Sequence, residues 1–137
     1  MIRKNKKNYI KLPESELTVM QLIWELDRNG VKDINAKTIV DTYPNVVGHL
    51  AITTILTLTT RLQDKGFIRL EKHGRSNCAV VLADENEYKH HAAADFVATV
   101  FKNDTRGMIC ALYSDGILSD EDIANLRREL AAGDADK

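Results

Sequence analysis

Ala51-Ile52-Thr53-Thr54-Ile55-Leu56-Thr57-Leu58-Thr59-Thr60-Arg61-Leu62-Gln63-Asp64-Lys65-Gly66 is the stretch that decides the fold. Wound as a helix, it puts Ile55, Leu58 and Leu62 on one face at i, i+3 and i+7, where they can be buried. Thr53, Thr57, Thr60 and Asp64 then line the opposite face, with Thr54 and Arg61 beside them. Lys65 in the last turn and Gly66 just past it form a stop signal, because glycine takes the left-handed conformation that closes a helix. A strand competes: threonine has β preference, and Leu56-Thr57-Leu58-Thr59 alternates. The glycine stop and the continuous polar face favour the helix.

Solubility alone would put Lys and Glu on that outward face. Short hydroxyl side chains instead let a helix backbone come close to base edges and thymine methyls in the major groove of DNA. An ordinary exposed helix that happens to be threonine-rich is the other reading, and the flanking segments decide between them.

Upstream, Leu12-Pro13-Glu14-Ser15-Glu16 opens a helix, with carboxylates at the positive end of its dipole. Leu17, Met20, Ile23 and Trp24 give it an apolar stripe, helped by Val19 and Leu26, and Asn29-Gly30 ends it. Val31–Ile34 is short and extended. Asn35 is a good N-cap for a shorter helix through Ile39, Val40 and Tyr43, which Pro44 terminates. A connecting turn, Asn45–His49, leads into the threonine-rich helix. A helix-turn-helix would lay that last helix in the major groove.

Downstream, the period changes. Phe67, Ile68 and Leu70 are strand-like, and Cys78-Ala79-Val80-Val81-Leu82 is a second apolar run. Glu71–Asn77 between them reads as a hairpin tip carrying Lys72, His73 and Arg75. Three helices followed by such a hairpin describe a winged helix, whose wing follows the DNA backbone; a solvated loop with chance charges is the alternative.

The charge distribution agrees. Residues 1–82 hold 13 Lys/Arg against 8 Asp/Glu, a balance of +5, and residues 83–137 hold 6 against 12, a balance of −6. The basic front suits a polyanion and the acidic back does not. Residues 1–11, with Arg3, Lys4, Lys6, Lys7 and Lys11, read as a flexible basic arm, either a phosphate-following element or a solvated terminus. No apolar run approaches the ~18–20 residues of a membrane span and no signal peptide opens the chain, so a cytoplasmic protein without membrane insertion is expected. Cys78 and Cys110 make no metal or redox motif and read as small core residues.

From Ala83 the chain turns helical and acidic. One helix starts at Asp84-Glu85-Asn86-Glu87 and presents Phe96, Val97, Val100 and Phe101; Asn103-Asp104 breaks it. A second, short helix carries Met108, Ile109 and Leu112 and ends at Ser114-Asp115-Gly116. Ser119 with Asp122 resembles a capping box and heads a third helix through Ile123, Leu126 and Leu130, with residues 132–137 expected to fray. Residues 83–131 have little chain to fold back over these apolar faces, and a second copy is the simplest cover, so a homodimer is expected. A monomer with these helices folded onto the front domain is the alternative.

With these pieces in order, the sequence resembles the penicillinase repressor family of bacterial winged-helix regulators. The resemblance covers about residues 12–130 and is carried by Leu12–Trp24 and by Thr54–Ile68, with weaker echoes at Asn103–Leu112 and Leu118–Ile123. It implies a mainly α protein with a small β-hairpin: a winged helix over residues 12–82 and a helical dimerisation region over 83–131. It also implies a repressor that occupies a palindromic operator in double-stranded DNA. In the antibiotic-resistance branch a membrane sensor-protease pathway cuts the dimerisation region, and the corresponding bond here is Asp95-Phe96. Two departures stand out. Ala51-Ile52-Thr53 replaces a Ser-Pro-Lys-type opening of the recognition helix, and the scissile pair is Asp-Phe rather than Asn-Phe. The tail lacks the cysteine pairs of the copper-responsive branch, so metal sensing by that route is absent.

Enzyme motifs are missing: there is no phosphate-cradling loop and no nucleophile elbow. His90 and His91 diverge by about 100° on a helix and cannot share a metal. No catalytic residue, metal or cofactor is therefore assigned. Base readout is assigned to Thr53, Thr54 and Thr57, and phosphate contact to Arg61, Lys65, Lys72 and Arg75. A winged-helix module that docks on another protein is the competing function. A repressor gated by a small ligand is a third, for which the chain offers no pocket signature.

Overall fold

A computed structural model describes residues 9–135, with side chains described to residue 133. Residues 1–8 of the expected basic arm lie outside the described residues. The chain divides into two compact units, one ending at His91 and the other beginning at Ala92.

In the first unit, α1 (Glu14–Arg28) follows Pro13 in the N-cap position, and Val19, Met20, Ile23, Trp24 and Leu26 supply its buried stripe. Asn29 and Gly30 end it in a Schellman closure: the Gly30 N–H donates to Asp27 O and the Val31 N–H to Leu26 O. Asn35 caps α2 (Ala36–Thr42), its side chain accepting from the Thr38 N–H at 2.9 Å. Pro44 does more than terminate α2. It occupies the first turn of a further short helix, α3 (Pro44–Val47), where the expected connecting turn was placed. Proline lacks the N–H that an α2 continuation would need, and its fixed φ suits a first helical turn, so one residue serves both ends.

The threonine-rich stretch is helical, α4 (Ile52–Asp64), with Ile55, Leu58 and Leu62 buried. It closes as α1 does: the Gly66 N–H donates to Gln63 O and the Phe67 N–H to Leu62 O, with Gly66 at φ +83° and both Phe67 and Leu62 in the core.

Strands β1 (Ile68–His73) and β2 (Ser76–Val81) pair antiparallel, with Ile68 opposite Val81 and His73 opposite Ser76. The ladder thus runs through most of the segment expected to be a tip and leaves a two-residue turn, Gly74-Arg75. Gly74, at φ +65°, takes the first turn position, which a primed turn reserves for glycine. Ile34 belongs to no helix or strand, and its carbonyl accepts from the Ala79 N–H at 2.8 Å.

The first unit extends past the expected boundary at residue 82, because the opening of α5 (Glu85–Val100) is part of its core. Trp24 Nε1 donates to Ala83 O at 2.8 Å, and the Leu12 N–H donates to the Tyr88 hydroxyl at 3.0 Å, both buried. Tyr9, Trp24, Phe67 and Tyr88 form an aromatic cluster with ring centroids 5.5–6.0 Å apart. Tyr9 is therefore packed, although it falls within the stretch expected to be a flexible arm.

In the second unit, α5 stops at residues of positive φ, Lys102 and Asn103. Asp104 then caps α6 (Thr105–Ser114) by accepting from the Gly107 N–H at 3.0 Å. The expected capping box is present: the Asp122 N–H donates to Ser119 Oγ and the Ser119 N–H to Asp122 Oδ2, each at 3.0 Å. It heads α7 (Asp120–Ala135), which continues as helix through part of the tail expected to fray. The Tyr113 hydroxyl donates to Asp120 at 2.8 Å and joins α6 to α7. Cys110, expected in the core, is exposed on α6.

Candidate nucleic-acid interface

Burial of Ile55, Leu58, Thr59 and Leu62 fixes the rotation of α4 and turns Thr53, Thr57, Thr60, Arg61 and Thr54 outward. Two hydroxyls on this face bond back into the helix: Thr57 Oγ1 donates to Thr53 O at 2.9 Å, and Thr60 Oγ1 to Leu56 O at 3.0 Å. With its proton engaged, the Thr57 oxygen is left as an acceptor. Buried Thr59 is satisfied in the same way by Leu56 O at 2.8 Å.

Ile52 and Leu56 flank this face and are 43 % and 41 % exposed. Neither was assigned a role from sequence, although large apolar side chains turned outward on a helix otherwise lined with hydroxyls are the signal that could have found them. Such side chains suit thymine methyl groups. Ala51, in the N-cap position, makes no side-chain cap.

At the end of the hairpin Lys72 and Arg75 are exposed, and with Arg61 they enter no ion pair among the described residues. Lys65 differs from them. Its ammonium lies 2.5 Å from Glu16 Oε1, with the carboxylate side chain 4 % exposed and the lysine side chain 26 % exposed. A phosphate would have to compete with a nearly buried carboxylate for this cation.

His73 Nδ1 is 2.9 Å from Asp33 Oδ1, and its Nε2 is 3.6 Å from Glu71 Oε2. The bond to Asp33, reinforced by Glu71, raises the imidazole above its ordinary pKa. Glu71 is held low mainly by the Arg69 guanidinium, whose Nη2 is 2.5 Å away. Behind them, Cys78 on β2 is buried, and burial pushes its thiol up. Asp33, His73 and Cys78 thus converge, a set whose ends lie 45 positions apart and that no local sequence motif marks.

In the second unit, Phe96, Val100, Ile109, Leu126 and Leu130 are exposed, while Val97, Phe101, Met108, Leu112 and Ile123 are half-buried. Tyr113 and Ile117 are also exposed and add to the apolar surface beyond what was assigned from sequence. Asp95 and Phe96 lie inside helical α5, and Asp95 O accepts from the Thr99 hydroxyl at 2.6 Å.

A four-helix unit closed by a two-stranded wing, followed in the chain by a second helical unit, is the architecture of a winged-helix regulator. The family model described as penicillinase repressor matches residues 12–132, and the chain belongs to that family. It is accordingly a DNA-binding transcriptional repressor in general type. A comparison with curated proteins yields no match. No helix among the described residues is long and apolar enough to cross a membrane.

Proposed function

We propose that the chain binds a palindromic operator as a homodimer and blocks transcription there until an inducing signal releases it. The observation that carries this reading is the outward face of α4, where short hydroxyls, two apolar side chains and Arg61 stand over a fully buried opposite face. Thr53, Thr54 and Thr57 read base edges, with Ile52 and Leu56 against thymine methyls. Arg61 and the wing cations Lys72 and Arg75 hold phosphates and set the register. Lys65 serves packing, through Glu16, more than it serves phosphate binding.

The second copy covers the apolar surface of α5, α6 and α7, where Val100 and Leu130 are 58 % and 62 % exposed in the single chain. Exposed apolar surface of this extent is a dimer face rather than a solvated one. Release by proteolysis at Asp95-Phe96 would part the DNA-binding unit from most of the dimerisation unit, since the bond lies just past the boundary at His91/Ala92. It also requires α5 to open locally, because the bond is inside a hydrogen-bonded helix.

Fluorescence anisotropy against duplex DNA from immediately upstream of its own gene, beside a scrambled duplex, tests the reading over a salt series. Preference for the native duplex of ~10³-fold or more, two protomers per duplex and a steep salt slope are expected. No binding to either duplex at low salt would overturn it.

A further inference from the structure

We propose that Asp33 Oδ1, His73 Nδ1 and Cys78 Sγ form a site for one borderline-soft divalent cation, Zn2+ being the best match. The three ligand atoms lie within 4.8 Å of one another. His73 Nδ1 is 2.9 Å from Asp33 Oδ1, and Cys78 Sγ is 4.0 Å from the same oxygen. A tetrahedral zinc ion with ligands at about 2.0–2.3 Å keeps its donors roughly 3.3–3.7 Å apart. The two distances to Asp33 Oδ1 bracket that spacing, so small shifts of the exposed Asp33 and His73 side chains would bring the donors to it.

The backbone explains the convergence. In the hairpin register Cys78 stands opposite Glu71, and His73 is two residues beyond Glu71 on the same strand. All three side chains therefore share one face of the sheet. Asp33, in the loop between α1 and α2, reaches this face from outside the hairpin.

The donor set has the right chemistry. Thiolate, imidazole and carboxylate are the zinc ligands of mixed sites, and a water completes the fourth position. Glu71 Oε2, 3.6 Å from His73 Nε2, stands where metal-bound histidines commonly find a carboxylate for the other ring nitrogen; once the ion displaces the Nδ1 proton now facing Asp33, a closer approach of Glu71 would hold the Nε2–H tautomer. Cys78 is 1 % exposed, whereas Asp33 and His73 are exposed, so the ion arrives from solvent on their side and meets the sulfur at the floor. Binding releases the Cys78 thiol proton and any proton on His73 Nδ1 to solvent. The bound ion clamps the hairpin to the α1–α2 loop. None of this depends on whether the chain binds DNA.

Titrating chelator-treated, reduced full-length protein with Co2+, then displacing it with Zn2+, tests the site through the thiolate-to-cobalt charge-transfer absorption. One equivalent per chain is expected, with the band unchanged in Cys110→Ser and lost in Cys78→Ser. His73→Gln and Asp33→Asn each remove a direct ligand and should weaken binding by at least the ~10–100-fold that loss of an outer-shell partner costs. Far-ultraviolet circular dichroism checks that each variant folds. If Cys78→Ser does not, His73→Gln decides, since that side chain is at the surface. Absence of a thiolate band in the wild type, a band that survives Cys78→Ser, or full-strength binding in His73→Gln would each overturn the proposal.

Discussion

Lys65 Nζ lies 2.5 Å from Glu16 Oε1 and ties the C-cap of α4 to the first turn of α1. Glu16 is the nearly buried member, so removing the lysine leaves a carboxylate without its partner and without free access to water. Lys65→Met should lower stability to urea by about 1–3 kcal/mol. Adding Glu16→Gln should recover part of that, because the pair, not either charge alone, is what the packing tolerates. In protein that remains folded, DNA affinity should change less than in Arg61→Ala. An affinity loss in Lys65→Met equal to that of Arg61→Ala, at unchanged stability, would return Lys65 to the phosphate contacts.

Thr57 and Arg75 should separate reading from holding. Arg75, at the hairpin turn, carries a cation that no carboxylate among the described residues neutralises. Arg75→Ala should weaken all duplexes about equally and lower the salt slope by about 1. Thr57→Val keeps the methyl and shape but removes the oxygen that accepts hydrogen bonds. It should alter the preference between related sites by about tenfold or more while leaving the salt slope unchanged. Anisotropy with a small panel of single-base operator variants reads both; identical panels for Thr57→Val and wild type would sink the base-reading role.

These two cases also show what a sequence discloses. The orientation of α4 was legible because the burial period, the hydroxyl face and the Gly66 stop lie within one short stretch. The capping box at Ser119 and Asp122 was legible for the same reason. The engagement of Lys65 was not, because its partner stands 49 positions away. Asp33 and His73 are likewise separated by 40 positions, and only the hairpin register brings Cys78 beside them. Pro44 was read as an end because its ring blocks α2; that it also begins α3 depends on the turn that follows. The strands ran further than expected because Gly74 makes so tight a turn that Lys72 and His73 stay in the ladder. The unit boundary moved to residue 91 because Tyr88 is packed against Trp24 and Phe67, which local composition does not reveal.

The apolar face of the second unit predicts a change in mass. Val100 and Leu130 are exposed in the single chain, so a carboxylate at either position should cost its folding within about 0.5 kcal/mol. Across a dimer interface the same carboxylate would be desolvated without a partner. Val100→Glu with Leu130→Glu should therefore halve the mass seen by light scattering after size exclusion, while circular dichroism stays unchanged. Operator binding should fall at least tenfold, since the second half-site would no longer be bound at high effective concentration. A dimer mass that survives both substitutions would place the interface elsewhere.

Asp122 gives a prediction with a defined direction in pH. Its carboxylate accepts from the Ser119 N–H, which holds it below the ordinary carboxylate range, and the Ser119 hydroxyl adds to this. A group whose folded pKa is depressed contributes stability that is fully present above its unfolded value, about 3.9. That contribution is lost as pH falls through the folded value. The first turn of α7 should therefore keep its helical amide signals through the usual carboxylate titration range and lose them only below it, together with the Asp122 carboxyl shift followed by NMR. Ser119→Gly, which deletes the hydroxyl but keeps the backbone donor, should move the Asp122 titration upward without restoring the ordinary value. Asp122→Ala should fray the turn at neutral pH and abolish this pH dependence. A carboxyl that titrates at or above its ordinary value in the wild type would show that the box is open in solution.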